Sequence, residues 1–344
     1  MTDIFDYLGR TNTLWKEHKF GNVHTIDVSE ITQPGSGGSR ETPSHRTLST
    51  NELEHWLSTN TSVLQMVWVE HDTASQRSKI SSRAASSIFS AFGLEVAYKY
   101  SRTCFSGAAQ VSSKASPGDR FGSFAFSYYP KMILLWAYDV AKKSTRGICF
   151  AGRDQILVFR ELLNERWLPL SQPMTIGLLA SLVLSGEVDR AQKDIKTEVS
   201  KVEVRTGCHR WHNRSEDPAQ EDLAVLFAKM SGSATKTASI SKKIEIIQEL
   251  GNFCLVHTAE TFSQSADDSS EANDDGINTR DKDEIDELQK DILLVRQRAK
   301  MQQVNADLIT RRIDIQLNAV SNNLIHYFPL FSSSSPRELP NNVL

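Results

Sequence analysis

Between Asp281 and about Asn323 the chain carries an apolar residue at every seventh position: Ile285, Ile292, Ala299, Ala306, Ile313 and Val320. Three residues beyond the first five stand Leu288, Val295, Gln302, Ile309 and Gln316. A heptad pattern sustained this far predicts one long helix with a coiled-coil-like seam. At about 1.5 Å per residue it spans roughly 65 Å, more than one small domain can cover. Asp281 and Glu284 stand at capping-box spacing, and Asp283, Asp286 and Glu287 lie where the helix dipole favours negative charge. Asp286 with Lys290 and Asp307 with Arg311 have the spacing of i,i+4 ion pairs. Two readings of the seam stay open. The helix packs on its own domain, or it is a stalk that self-associates through Ile285, Leu288, Ile292, Val295, Ile309, Ile313 and Val320. Gln302 and Gln316 interrupt the seam and either fix register or face water.

Upstream, the period of the pattern changes. Val23 to Val28, Leu64 to Val69, Phe121 to Ser127, Met132 to Tyr138 and Arg146 to Ala151 read as strands. Ile4 to Trp15, Ser49 to Leu57 and Ser78 to Phe92 read as helices. In the last, Ile80, Ala84, Ser87, Ile88 and Ala91 share a face that ends at Gly93. Gln33 to Ser44 is a loop by composition, with no phosphate-loop spacing among its glycines. Strands mixed with helices give an α/β (α+β) fold class: an N-terminal mixed sheet with helices over residues 1–165. A helical region over 166–262 follows. It contains a helix from Met174 to Val204 stopped by Gly207, one after Pro218 through Leu223 to Met230, and another marked by Ile240, Ile244, Ile247 and Cys254. Residues 263–280 form an acidic linker expected to be disordered. The stalk-like helix covers 281–323, and residues 324–344, with Pro329, Pro336 and Pro340, form a disordered tail.

A net charge of −3 gives no electrostatic ground for nucleic-acid binding. Four scattered cysteines without a CxxC pair suit a reducing compartment. Met1 to Thr11 lacks an apolar core, so no signal peptide is expected. The longest apolar run, Met174 to Leu184, is too short for a membrane span. These features predict a cytoplasmic protein that reaches a membrane only through a partner. The chain has no HExxH and no GxSxG. Cys208, His209 and His212 lie close together, but no second ligand cluster completes a zinc site. The acidic linker fails as a calcium loop because Lys282 falls where a bidentate Glu is required. Arg83-Ala84-Ala85-Ser86 has basic-directed kinase spacing on what reads as a solvated helix face. No catalytic residue is identified.

Three ordered segments carry a resemblance: ERWLPLSQPMTIGLLASLVL from Glu165, TGCHRW from Thr206 and DLITRRIDIQLN from Asp307. They resemble the soluble region of fungal CorA-like proteins, relatives of the CorA magnesium channels, over most of residues 20–323. The family pattern has a His-Pro before an apolar helix, a Thr-Gly-x-His turn after it, and an Asn-Leu-Ile stretch with Leu-Asn on the last helix. Pro173, Thr206, Gly207, His209, Trp211, Leu308, Ile309, Asp314, Leu317 and Asn318 carry the likeness, while Gln172 replaces the His. The resemblance implies an α/β cytosolic domain, then helices, then a stalk. CorA itself is a homopentameric divalent-cation channel that senses magnesium through acidic cytosolic residues. No sensing residue can be placed in this chain, and the two membrane helices and the Gly-Met-Asn loop of that family are not found in it.

The expected function is a non-catalytic CorA-like cytosolic domain with an interaction or regulatory role, related to magnesium transport but unable to conduct ions alone. Its partners would be copies of itself or full-length relatives, met through the 281–323 helix, with weak Mg2+ binding at carboxylates and no other cofactor. Alternatives are a truncated product of a membrane CorA-like transporter and an enzyme with an unrecognised site in the α/β domain.

Overall fold

The computed structural model describes residues 19–21, 23, 25–32, 43–58, 62–104, 106–112, 121–165, 169–206, 220–267 and 279–327. The α/β class holds. Among the described residues nine strands form one sheet: β1 (Lys19–Phe20), β2 (Thr25–Thr32), β3 (Ser44–Ser49), β4 (Ser62–Asp72), β5 (Arg77–Ser78), β6 (Ser106–Ser112), β7 (Phe121–Tyr128), β8 (Met132–Asp139) and β9 (Ser144–Ala151). Seven helices are described: α1 (Thr50–Ser58), α2 (Ser82–Phe92), α3 (Glu95–Ser101), α4 (Arg153–Leu163), α5 (Thr175–Thr206), α6 (Gln220–Asp267) and α7 (Thr279–Tyr327).

Two antiparallel blocks, β3-β2-β4 and β9-β8-β7-β6, meet at one parallel pair, β4 with β9. The short strands β5 and β1 extend the far end of β4. β8 reads MILLWAYD and is buried at every position, as a strand covered on both faces must be. On one face Val67, Val69, Leu135, Ile148 and Phe150 pack against Leu53 and Trp56 of α1, Ile88, Phe89 and Phe92 of α2 and Ala97 of α3. On the other, Trp68 meets Phe159 of α4 at 5.6 Å, and Phe124 meets Phe253 and His257 of α6. The sheet is thus the middle layer of a sandwich.

Local signals explain where the helices begin and end. Ser49 and Glu52 make a capping box, with Ser49 N donating to Glu52 Oε2 at 2.8 Å. Ser81 caps α2, and Gly93 ends it at φ +68, a conformation glycine reaches without a Cβ penalty. The buried face of α2 differs in detail from the expected one: Ala85, Phe89 and Phe92 are inside and Ala91 is outside. The β7–β8 turn contains a cis Tyr129-Pro130 bond.

Several boundaries are corrected. Ser44 begins strand β3 rather than ending a loop. The two helices expected at Leu223 to Met230 and Ile240 to Cys254 are one, α6. Its buried positions Leu223, Leu226, Met230, Ser233, Thr237, Ile240 and Ile244 keep unbroken three–four spacing. The small polar residues between the two apolar stretches sit on that seam, and Thr237 satisfies its hydroxyl on Ser233 O at 2.8 Å. α6 extends to Asp267, into the expected linker, and α7 runs to Tyr327, into the expected tail. α7 begins at Thr279, before the proposed Asp281 cap, and Glu284 accepts instead from Ser171 Oγ. Asp307 accepts from Gln303 Nε2 at 2.8 Å on its own helix. The expected helix at Ile4 to Trp15, Gly207, Pro218 and residues 268–278 and 328–344 lie outside the described residues.

The chain divides into two compact units that cut across the expected domain order. The first joins residues 1–185 to 246–298, so the sheet shares its unit with parts of α5, α6 and α7. The second joins 186–245 to 299–344. In the first, Gly177 allows α5 to approach α6: a Cβ there would stand 2.4 Å from Cys254 Sγ. In the second, α5 and α7 run parallel, as the 192–302, 203–312 and 206–316 hydrogen bonds keep nearly constant offset. α6 runs antiparallel to α5, with Lys243 opposite Glu187 and Asp222 opposite Arg205.

Candidate functional site

The heptad seam of α7 is filled from within the chain. Ile285, Leu288, Ile292, Val295, Ala299, Ala306, Ile309, Ile313 and Val320 are all buried in a single copy. Its two glutamines fix register rather than face water. Gln192 Nε2 donates to the Gln302 carbonyl at 2.6 Å, and Gln302 Nε2 donates to Asp189 Oδ1 at 2.7 Å. Thr206 Oγ1 donates to Gln316 Oε1 at 2.6 Å. Beside them Arg312 grips Glu203 with Nε and Nη2, at 2.8 and 2.6 Å, and reaches Ser200 at 3.0 Å. The Glu203 hydrogen bond and charge raise the Arg312 pKa against the effect of burial. These pairs join α5 to α7 in one alignment, since breaking a buried hydrogen bond is costly.

The same helix carries a second apolar stripe that faces outward. Met301, Leu308 and Ile315 lie seven apart with Val304 between them, each more than half exposed. Leu294, one heptad earlier on α7, is 67% exposed. In that register Lys300, Asp307 and Asp314 border one side, and Arg298, Asn305 and Arg312 the other. Single exposed apolar residues need no explanation; Met301, Val304, Leu308 and Ile315 instead form a periodic row on one helix face.

The family-like residues fall in different settings. Pro173 is buried in the turn before α5, where Thr175 Oγ1 donates to Pro169 O at 2.6 Å. Thr206 meets Gln316, next to Leu317 and Asn318, so two of the three ordered segments come together. Ile309 is buried, Leu308 is exposed and belongs to the outer stripe, and Asp314 and Asn318 are exposed. Gly207, His209 and Trp211 lie outside the described residues, as do Cys208 and His212.

One array in the sheet has the residue types of a nucleophile, a base and an orienting group. Paired rows place His45, Ser29, Met66, Gly147, Trp136, Phe124 and Gln110 side by side across seven strands. Ser29 Oγ lies 2.6 Å from His45 Nδ1, and His45 Nε2 lies 3.3 Å from Asn164 Oδ1. Trp68 Nε1 donates to Ser29 Oγ at 2.6 Å. Ser29 is fully buried, so no reacting atom can approach its oxygen in this geometry. The array instead ties the β2–β3 edge to the end of α4. Among the described residues no group of three or more His, Cys, Asp or Glu side chains could hold a metal, and no helix is long and apolar enough to cross a membrane.

Burial pulls the His45 pKa down, opposed in part by the Asn164 hydrogen bond and aided by Arg160. His71, bonded to Ser78 at 2.9 Å, is also pulled down by burial, opposed by Asp72. Both imidazoles therefore stay neutral in the fold at pH values where the unfolded chain takes up protons. Stability is full above the unfolded pKa of about 6.5 and falls as the pH drops below it toward the folded values. Thermal melts between about pH 7 and pH 5 are expected to show this loss. His45→Gln with His71→Gln flattens the slope; an unchanged slope assigns it to other groups.

No family model matches the chain, and no curated protein sequence matches it.

Proposed function

We propose that this protein is a soluble, non-catalytic, cytoplasmic interaction module of CorA-like organisation that acts through the outer face of α7. Its occupant is the same helix of a second copy or of a full-length relative. Its role is to assemble or regulate divalent-cation transport rather than to conduct ions by itself. The observation that carries the reading is the outward stripe of Met301, Leu308 and Ile315, with Val304 between. Seven-residue spacing is the repeat by which one helix fits knobs into the holes of another of its kind. An α/β domain followed by helices and a long final helix agrees with the family's layout. The carboxylates would bind magnesium weakly.

Sedimentation of the full chain with and without magnesium tests the proposal. Self-association is expected, and Met301→Glu with Leu308→Glu weakens it by roughly a hundredfold while leaving the fold intact by circular dichroism. A strict monomer in both conditions, also when mixed with a full-length relative, removes the reading. Assembly that ignores the double substitution moves the interface off α7.

A further inference from the structure

We infer that the groove between α5 and α6 in the second unit is a binding site for a compact phosphate-bearing anion. The groove is open to solvent, offers about 360 Å3 and is lined from α5 by Asp194, Glu198, Lys201 and Arg205 and from α6 by Lys229 and Lys236. Val202 and Leu226 close its floor.

The charges are not evenly spread. At one end Lys236 pairs with Glu198 at 3.3 Å, and Ser233 donates to the same carboxylate at 3.0 Å. Burial raises the Glu198 pKa, but these two hydrogen bonds and the charges of Lys236 and Lys229 outweigh it and hold the group ionised. At the other end Arg205 is steadied by Asp222 at 2.8 Å. Between them stand Lys201 and Lys229. The antiparallel register that sets Glu198 against Ser233 and Arg205 against Asp222 brings these two lysines to the same level on facing helices. Neither has a carboxylate in salt-bridge range among the described residues. Two like charges on opposite walls repel, and an anion seated between them turns that repulsion into attraction. Lysine ammonium groups are point-charge partners for phosphate, and Arg205 adds a fork at the edge. The volume lies at the low end for small-molecule sites and exceeds one phosphate, which points to a diphosphate or a small organic phosphate. The site is separate from the outer face of α7 and does not rest on the self-association reading.

Calorimetric titration of the full chain with pyrophosphate, with adenosine diphosphate and with adenosine, all free of magnesium, tests it. Pyrophosphate is expected to bind saturably, and more weakly as salt rises. Lys201→Gln with Lys229→Gln weakens it by roughly tenfold or more, whereas Lys242→Gln, outside the groove, changes nothing. Adenosine diphosphate binding alongside pyrophosphate extends the site to organic phosphates; its failure to bind restricts the site to inorganic diphosphate. Without ligand, Lys201→Gln is expected not to lower the melting temperature, because a repulsion is removed. Three results overturn the inference: no saturable binding of either phosphate, equal binding by the double variant, or adenosine binding as tightly as its diphosphate.

Discussion

Replacing Gly147 with alanine is expected to destabilise the α/β unit by about 3 kcal/mol, at the upper end for an added core methyl, and to lower its melting temperature by roughly 10 °C. The backbone there is ordinary strand, so the cost is space alone. A Cβ on Gly147 would stand 2.8 Å from the Leu135 carbonyl oxygen, 2.8 Å from Met66 Sδ and 3.1 Å from Trp136 Cβ. Met66 is the end of a flexible side chain and can move. Leu135 O belongs to the neighbouring strand of a fully buried ladder and cannot move without opening it. Gly147→Ala with Met66→Ala should therefore recover little. If the pair restores wild-type melting, Met66 was the obstacle and the sheet is more compliant than the ladder implies. Gly147→Val should prevent folding of this unit altogether.

The reason lies in the cross-strand row. Trp136 and Phe124 stack at 5.4 Å on one face, and Gly147 is the next position along the row. Sequence alone revealed the strands around this point, because β4, β7, β8 and β9 each carry a cluster of apolar or aromatic residues. It did not reveal β3 or β6. SHRTLS and SGAAQVS are edge strands, paired on one side only among the described residues, and their composition resembles loop. α4 was missed for a related reason: Ile156, Phe159 and Leu163 are its only buried positions, too few to register as a periodic face.

The long helix was legible and its apolar seam correctly located, yet what covers that seam was not. A heptad reports that a helix has a partner and leaves open whether the partner is another chain or the same one. Gln192 and Gln302, or Thr206 and Gln316, lie 110 residues apart and carry no local sign that they pair. Polar seam residues also hid the continuity of α6. Conversely, the outer stripe of α7 was visible in principle as a second seven-residue series, but the stronger inner one concealed it. Lys201 and Lys229 were invisible as a site because only the antiparallel register of α5 and α6 brings them together.

The pairing of Arg312 with Glu203 gives the sharpest test of that register. Arg312→Ala is expected to cost the helical unit about 3 kcal/mol, at the low end for a broken buried pair because the arginine is still 27% exposed. The loss comes from Glu203, whose side chain is only 7% exposed and would lose both hydrogen bonds from the guanidinium. Glu203→Leu with Arg312→Leu removes both charges and should recover most of the stability, since a well-packed apolar pair replaces two desolvated ions. Denaturant melts of Glu203→Leu, Arg312→Leu and the double variant close a mutant cycle, and a coupling of about 2 kcal/mol is expected. Additive losses would mean that the two groups act independently. The alignment of α5 with α7 would then rest on the glutamine and threonine contacts alone. Coupling of the expected size instead makes the ion pair a register device: a shift of α7 by one turn would carry Arg312 away from Glu203 and break both of its hydrogen bonds to that carboxylate.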